Sequence, residues 1–187
     1  MAPRWAYHWV NRMLRLVKYV PWLLVLVNTS CTAAEPLSVV DHVDPQRYMG
    51  RWYEIASYPA WFQRGCTATT ADYRLLADGK IEVINRCRKH TLDGSPKESK
   101  GTAEIVDTQT NAKLKVWFFW PFKGNYWIID LAGDYAWAVV GEPRRKYLWI
   151  LSRTPTLDEA TYQAILSRLP TKGYDPARLQ RTPQPKP

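Results

Sequence analysis

The sequence predicts an all-β domain, a sandwich or an up-and-down barrel, followed by one helix. Three observations predict it. Eight short segments of strand character follow one another past residue 45, with turn residues between most of them. Ten Trp and eleven Tyr favour strands or a ligand pocket over a helix bundle. A single capped, amphipathic stretch closes the pattern near residue 160. The 187 residues suffice for one domain with a targeting segment or tail.

The chain begins with an address. Residues 1–30 hold Arg4, Arg12, Arg15 and Lys18 and no acid, then the apolar run Tyr19 to Val27. A membrane-spanning helix needs about 20 apolar residues, so this run is too short to span. Bases before it and small polar residues after it are the layout of a secretory signal, opened by either Met1 or Met13. Two cleavage readings compete. Asn28-Thr29-Ser30-Cys31 resembles a bacterial lipoprotein box, in which Cys31 becomes the acylated N-terminus and residues 31–40 a linker. Alternatively, Cys31-Thr32-Ala33 or Thr32-Ala33-Ala34 suits ordinary signal peptidase and a soluble periplasmic product.

The strand segments are Trp52–Ser57, Cys66–Leu76, Lys80–Lys89, Glu98–Asp107, Ala112–Trp120, Gly124–Leu131, Tyr135–Glu142 and Tyr147–Arg153. Asp78-Gly79, Asp93-Gly94-Ser95-Pro96, Gln109-Thr110-Asn111, Lys123-Gly124, Gly133-Asp134 and Gly141-Glu142-Pro143 mark turns. Charges set the phase of several strands, because side chains alternate faces. Lys113 and Lys115 face water, which turns Leu114, Val116 and Phe118 inward. By the same rule Ile81, Val83 and Asn85 face in, as do Thr69, Ala71 and Tyr73, and Gly101, Ala103 and Ile105. The strands Tyr126–Leu131 and Tyr135–Val140 are apolar on both phases and remain ambiguous. An inward face that mixes small, aromatic and occasional polar residues suits a cavity better than a solid core.

Thr156-Leu157-Asp158-Glu159 reads as a capping box, with Thr156 as N-cap. Tyr162, Ile165, Leu166 and Leu169 then make one apolar stripe, and Pro170 stops the helix. The domain is expected to span 41–181. Residues 182–187, proline-rich, are expected to form a disordered tail.

Composition and motifs narrow the function. With 46% hydrophobic and 23% charged residues the chain is not a disordered protein. The net charge of +9 is partly the signal's, which leaves 22 bases against 17 acids scattered over the rest. Neither one basic stripe nor any nucleic-acid motif is present. Three Cys exclude a disulfide-dense mini-protein and a four-Cys zinc site. His42 and His90 have no partners at metal-ligand spacing, and no nucleophile or phosphate-loop motif occurs. No cofactor or metal is expected, and the chain reads as a non-enzyme. Asp130 is an inward carboxylate in one phase and a solvated residue in the other.

The opening Tyr48-Met49-Gly50-Arg51-Trp52-Tyr53-Glu54-Ile55-Ala56, followed by eight strands and a helix, resembles the lipocalin family, and within it the bacterial outer-membrane lipoprotein group. Gly50-x-Trp52 is similar to that family's motif at the first strand. Asp134-Tyr135 is similar to its turn between strands six and seven, with Gly133 in place of Thr. Arg153 is similar to the Arg after strand eight. The resemblance covers roughly residues 40–180. It implies an eight-stranded antiparallel up-and-down β-barrel with one C-terminal α-helix packed outside. Trp52 would plug the closed end under the Arg153 guanidinium, a structural role. With Cys31 acylated or removed, Cys66 and Cys87 remain, on strands that fold back around Asp78-Gly79. A disulfide between them requires a bulge near Cys66, whose phase is outward; two free thiols are the alternative.

The resemblance further implies binding or transport of lipids, fatty acids or lysophospholipids, by a lipoprotein held on the periplasmic side of the outer membrane through its lipid anchor. The ligand-lining set is Val83, Asn85, Ala103, Ile105, Leu114, Val116 and Phe118, with Tyr126 and Trp137 as aromatic members. Arg64, in the first loop, is either a head-group contact or an exposed cation. Of the run Trp117 to Phe122, the outward Trp117 and Phe119 would cover a helix or a second copy in a homodimer, and the tip Trp120 to Phe122 would rest on membrane. A structural envelope protein without a ligand, or a barrel-based enzyme, is the alternative.

Overall fold

The structure is a computed structural model that describes residues 35–119 and 122–186. The expected signal segment, Cys31 and the Trp120-Pro121 tip lie outside the described residues. Eight strands form a barrel: β1 Gly50–Ser57, β2 Cys66–Leu75, β3 Ile81–Lys89, β4 Pro96–Ile105, β5 Lys113–Phe119, β6 Phe122–Leu131, β7 Trp137–Gly141 and β8 Leu148–Ser152. Each pairs antiparallel with the next, and β1 pairs with both β2 and β8, which closes the sheet. A short helix α1, Pro45–Tyr48, precedes β1. Helix α2, Glu159–Arg168, follows β8, and a ninth strand β9, Gln180–Arg181, follows α2.

In an up-and-down barrel, alternate connections share an end. The connections after β2, β4 and β6 lie at one end, and the segment before β1 crosses it. There Val43 N donates to Thr110 O at 2.7 Å, and Asn111 Nδ2 donates to Val43 O at 3.2 Å. The connections after β1, β3, β5 and β7 surround the other end, the mouth.

Two apolar clusters divide the molecule. One fills the barrel, with Trp52, Tyr73, Ile81, Val83, Ala103, Leu114, Ile128, Ala138, Val140 and Leu151 among its members. The other lies outside, where Tyr162, Ile165 and Leu169 pack on Ile55, Ile129, Val139 and Ile150. The stripe expected for α2 is therefore buried as read, but the helix starts later. Asp158, not Thr156, is the N-cap, and its Oδ1 accepts from Thr161 N at 2.9 Å.

Bulges decide three faces. In β2 the register slips between Thr67 and Thr70, with Ala68 at φ 48°, and Cys66 meets Cys87 in a disulfide with a Cα–Cα distance of 5.4 Å. In β6 the slip between Ile128 and Asp130 turns Asp130 outward, where Arg168 Nε reaches its Oδ2 at 2.8 Å. In β1 the slip between Glu54 and Ala56 puts both Ile55 and Ala56 in the outer cluster.

The bulged β1 also changes partner. Gly50 to Tyr53 pair with β2, whereas Ala56 and Ser57 pair with Arg181 and Gln180 of β9. Thr182 N donates to Ile55 O at 2.9 Å and Ala68 N donates to Pro183 O at 2.7 Å. Gln184 Nε2 donates to both Glu54 O and Thr69 O at 2.9 Å. Residues 182–184 are thus tied into the seam between β1 and β2, not frayed. The prolines do not prevent this, because the seam uses the Pro183 carbonyl and needs no donor there.

Candidate ligand-binding site

The closed end is built from the N-terminal segment upward. Asp44 caps α1, its Oδ1 accepting from Gln46 N at 2.8 Å, and α1 presents Tyr48 to the interior. Gly50 sits at φ +90°, a conformation only glycine adopts freely, and starts β1 beneath the Arg153 guanidinium. Trp52 is fully buried, and its Nε1 donates to Tyr48 O at 2.9 Å. Arg153 Cζ lies 3.8 Å from the Trp52 ring centroid, with Nη1 donating to Arg51 O at 3.0 Å and Nη2 to Arg47 O at 2.6 Å. Asp134 Oδ1 accepts from Ala136 N at 3.0 Å, which shapes the turn. The turn aims the Tyr135 hydroxyl at Asp44 N, 2.8 Å away.

Above the plug stands a tyrosine triad. The Tyr126 hydroxyl is 2.8 Å from the Tyr48 hydroxyl and 3.1 Å from that of Tyr73. Burial pushes Tyr73 up to about 12 and raises Tyr48 and Tyr126 as well. All three therefore stay protonated at neutral pH, and the Tyr73 hydroxyl donates to that of Tyr126.

The middle of the barrel is apolar. Val83, Ala103 and Leu114 are buried in it, with Ile105, Val116, Phe118 and Tyr126 partly buried against it. Asn85 shares their face, opposite Ala71 in the register. Gly101 faces Phe118 across the β4–β5 ladder. A Cβ at Gly101 would lie 2.7 Å from Phe118 Cδ1, so the glycine leaves the space that the Phe ring occupies. Trp137 is a correction to the lining set. It lies in the outer cluster, with Arg168 Cζ 5.4 Å from its ring centroid, while its neighbours Ala138 and Val140 face in. Both faces of β7 are buried, one by the barrel and one by α2, so polarity could not set its phase.

The mouth is polar. Glu54 pairs with the interior residue Leu151 and is only 5% exposed. Its Oε1 accepts from Ser57 Oγ at 2.9 Å and Thr182 Oγ1 at 2.6 Å, and its Oε2 from Gln63 Nε2 at 2.7 Å. Gln63 Oε1 in turn accepts from Trp149 Nε1 at 2.9 Å. Trp61, Phe62 and Leu92, on mouth-end connections, expose apolar surface. Glu54 was legible as inward by its spacing from Trp52; its contacts with residues 182–184 were not. Among the described residues, no group of three or more potential metal ligands is assembled. No helix of the described residues is long and apolar enough to cross a membrane.

A barrel plugged at one end, apolar in the middle and polar at the rim defines a calyx. Residues 43–184 match the lipocalin-like domain, and the chain belongs to that family. It is 40% identical over 162 residues to the outer membrane lipoprotein Blc of Escherichia coli strain K12, covering 87% of this chain and 91% of that protein. Temperature-induced lipocalin-1 of Arabidopsis thaliana is also 40% identical over 162 residues, covering 82% and 86% of the two chains. Among solved structures, insecticyanin of the tobacco hornworm Manduca sexta superposes with a TM-score of 0.66 at 19% identity, over 82% of this chain and 87% of that one. At that identity the likeness speaks for the fold alone.

Proposed function

We propose that this lipocalin binds single-chain lipids, fatty acids or lysophospholipids, within the barrel, and stores or carries them in the bacterial cell envelope without catalysing a reaction. The observation that carries the reading is the lining. Val83, Ala103, Ile105, Leu114, Val116 and Phe118 converge from three neighbouring strands above a sealed floor. Burying an acyl chain there contributes about 25 cal/mol per Å² of apolar area.

In this reading residues 1–30 are a signal peptide, and Cys31 carries palmitate-type acyl chains that anchor the protein on the periplasmic side of the outer membrane. The relatives named as outer membrane lipoproteins support that location. So does the exposed apolar surface of Trp61, Phe62 and Leu92 around the mouth.

Calorimetric titration with saturated fatty acids of increasing length tests the reading. Affinity is expected to rise by up to about 0.8 kcal/mol per CH₂ and then plateau when the calyx is full. Val116→Trp or Ala103→Trp should bring the plateau to a shorter chain, because each fills an inward position. Lys113→Trp, on the outward face, should leave it unchanged. Affinity indifferent to chain length, or equal effects of inward and outward substitutions, would overturn the proposal.

A further inference from the structure

The floor of the calyx carries one hydroxyl hydrogen more than its own oxygens engage. Tyr48, Tyr73 and Tyr126 bring three hydroxyls but make only two contacts, 2.8 Å between Tyr48 and Tyr126 and 3.1 Å between Tyr73 and Tyr126. Each contact engages one hydrogen, whichever oxygen donates it. Among the described residues no other group makes a hydrogen bond with these three oxygens. All three phenols keep their protons at neutral pH. With Tyr73 donating to Tyr126, one O–H donor is therefore left over, on Tyr48 or on Tyr126.

Two further observations give that donor a place and a partner. Tyr126 points inward from β6, opposite Leu114, and is only partly buried, whereas Tyr48 and Tyr73 are 3% and 7% exposed. Its open side thus borders the middle of the barrel. The buried side chains that share the interior with the triad, Ile81, Val83, Ala103, Leu114 and Ile128, are all apolar. Nor is a cation free at the floor. Arg153 stacks on Trp52 and donates to Arg51 O and Arg47 O. A carboxylate buried here would meet one neutral donor and no counter-charge, which is costly. A neutral carbonyl would accept from that donor and bring no hydrogen of its own to satisfy.

We infer that the calyx takes acyl chains bearing a neutral carbonyl at the end remote from the head group, and that the spare tyrosine hydroxyl of the floor donates to that carbonyl. This rests on the lipid-binding reading and names a ligand class within it. An unoxidised chain presents only a methyl group at the floor and leaves the donor without an acceptor.

The test uses the chain length at which the fatty-acid series reaches its plateau. Two oxo acids of that length are titrated calorimetrically into the protein. One carries its ketone next to the terminal methyl group, the other four carbons nearer the carboxylate. The isomers match in size and polarity, and the carboxylate keeps each head in water at the mouth. The terminal isomer is expected to bind about tenfold tighter, because only its carbonyl meets a donor. The triple substitution Tyr48→Phe, Tyr73→Phe, Tyr126→Phe removes the hydroxyls together and should bring the ratio close to one. Tyr73→Phe alone should preserve it, since two hydroxyls sharing one bond still leave one hydrogen over. Should the triple variant fail to fold, infrared spectra of the wild-type complexes decide the matter. There the ketone stretch of the terminal isomer should lie at lower frequency than that of the other. Equal affinities in the wild type, a ratio that survives the triple substitution, or equal stretch frequencies overturn the inference. If neither the oxo acids nor the unsubstituted acids bind, the lipid-binding reading itself has failed. If the unsubstituted series keeps its plateau and the two isomers bind alike, only the assignment of the floor has.

Discussion

The Arg153 guanidinium lies flat over Trp52, its carbon 3.8 Å from the indole centroid, while two of its nitrogens hold the backbone carbonyls of Arg51 and Arg47. One side chain thus joins the end of β8, the start of β1 and helix α1. Lysine has the charge but neither the plane nor the fork.

Arg153→Lys is accordingly expected to lower stability by about 2 kcal/mol, from lost stacking and one lost charged hydrogen bond. Urea unfolding followed by Trp fluorescence measures it. An unchanged midpoint would show that the stack contributes nothing.

The tyrosine triad makes the barrel sensitive to alkali. Burial raises Tyr73 from 10.0 to about 12, and raises Tyr48 and Tyr126 well above their ordinary value too. The unfolded chain therefore releases these protons first, from about pH 10 upward, and the folded state holds more protons there. Stability is complete below pH 10 and falls as pH rises from 10 to 12, with a slope of up to about 1.4 kcal/mol per pH unit for each tyrosine. Tyr126→Phe removes the hydroxyl shared by the other two and should make the fall shallower. Urea midpoints at pH 9, 10 and 11 test this; identical slopes in the two proteins would refute it.

The Cys66–Cys87 disulfide closes a loop with a sequence separation of 21. In the chain-entropy account such a closure stabilises by about 3 kcal/mol. The double substitution Cys66→Ala, Cys87→Ala should cost that much in urea unfolding. The single reduced protein should behave like the double variant, and a loss well under 1 kcal/mol would mean the reduced chain keeps the hairpin together unaided.

Much of the fold could be read from residues whose polarity was unequivocal. Lys113 and Lys115 assigned the face of β5, and Asp78-Gly79 and Asp93-Gly94 marked turns where turns occur. What escaped was local geometry that polarity does not encode. Trp137 was placed inside because β7 is apolar on both faces, and only the packing of α2 explains the outer one. Asp130 could not be assigned because the bulge at Ile128 reverses its phase. Cys66 was read as outward, and the register slip after Thr67 is what brings it to Cys87. Glu54 follows Trp52 by two residues and so faces inward, yet a carboxylate there looks improbable until Ser57, Gln63 and Thr182 are seen around it. Those contacts span up to 128 residues, beyond any local pattern.

The seam at β1 also sets an order of events in folding. The upper half of β1 has no strand on one side until residues 180–184 arrive from the far end of the domain. Contacts so distant in sequence form late and slowly, because their loops must close first. Until then the half-built barrel displays unpaired backbone at Ile55 and Ala68, an edge that a second incomplete chain can extend. Those five residues therefore act as a latch: they end the interval in which the folding chain can be captured by its neighbours.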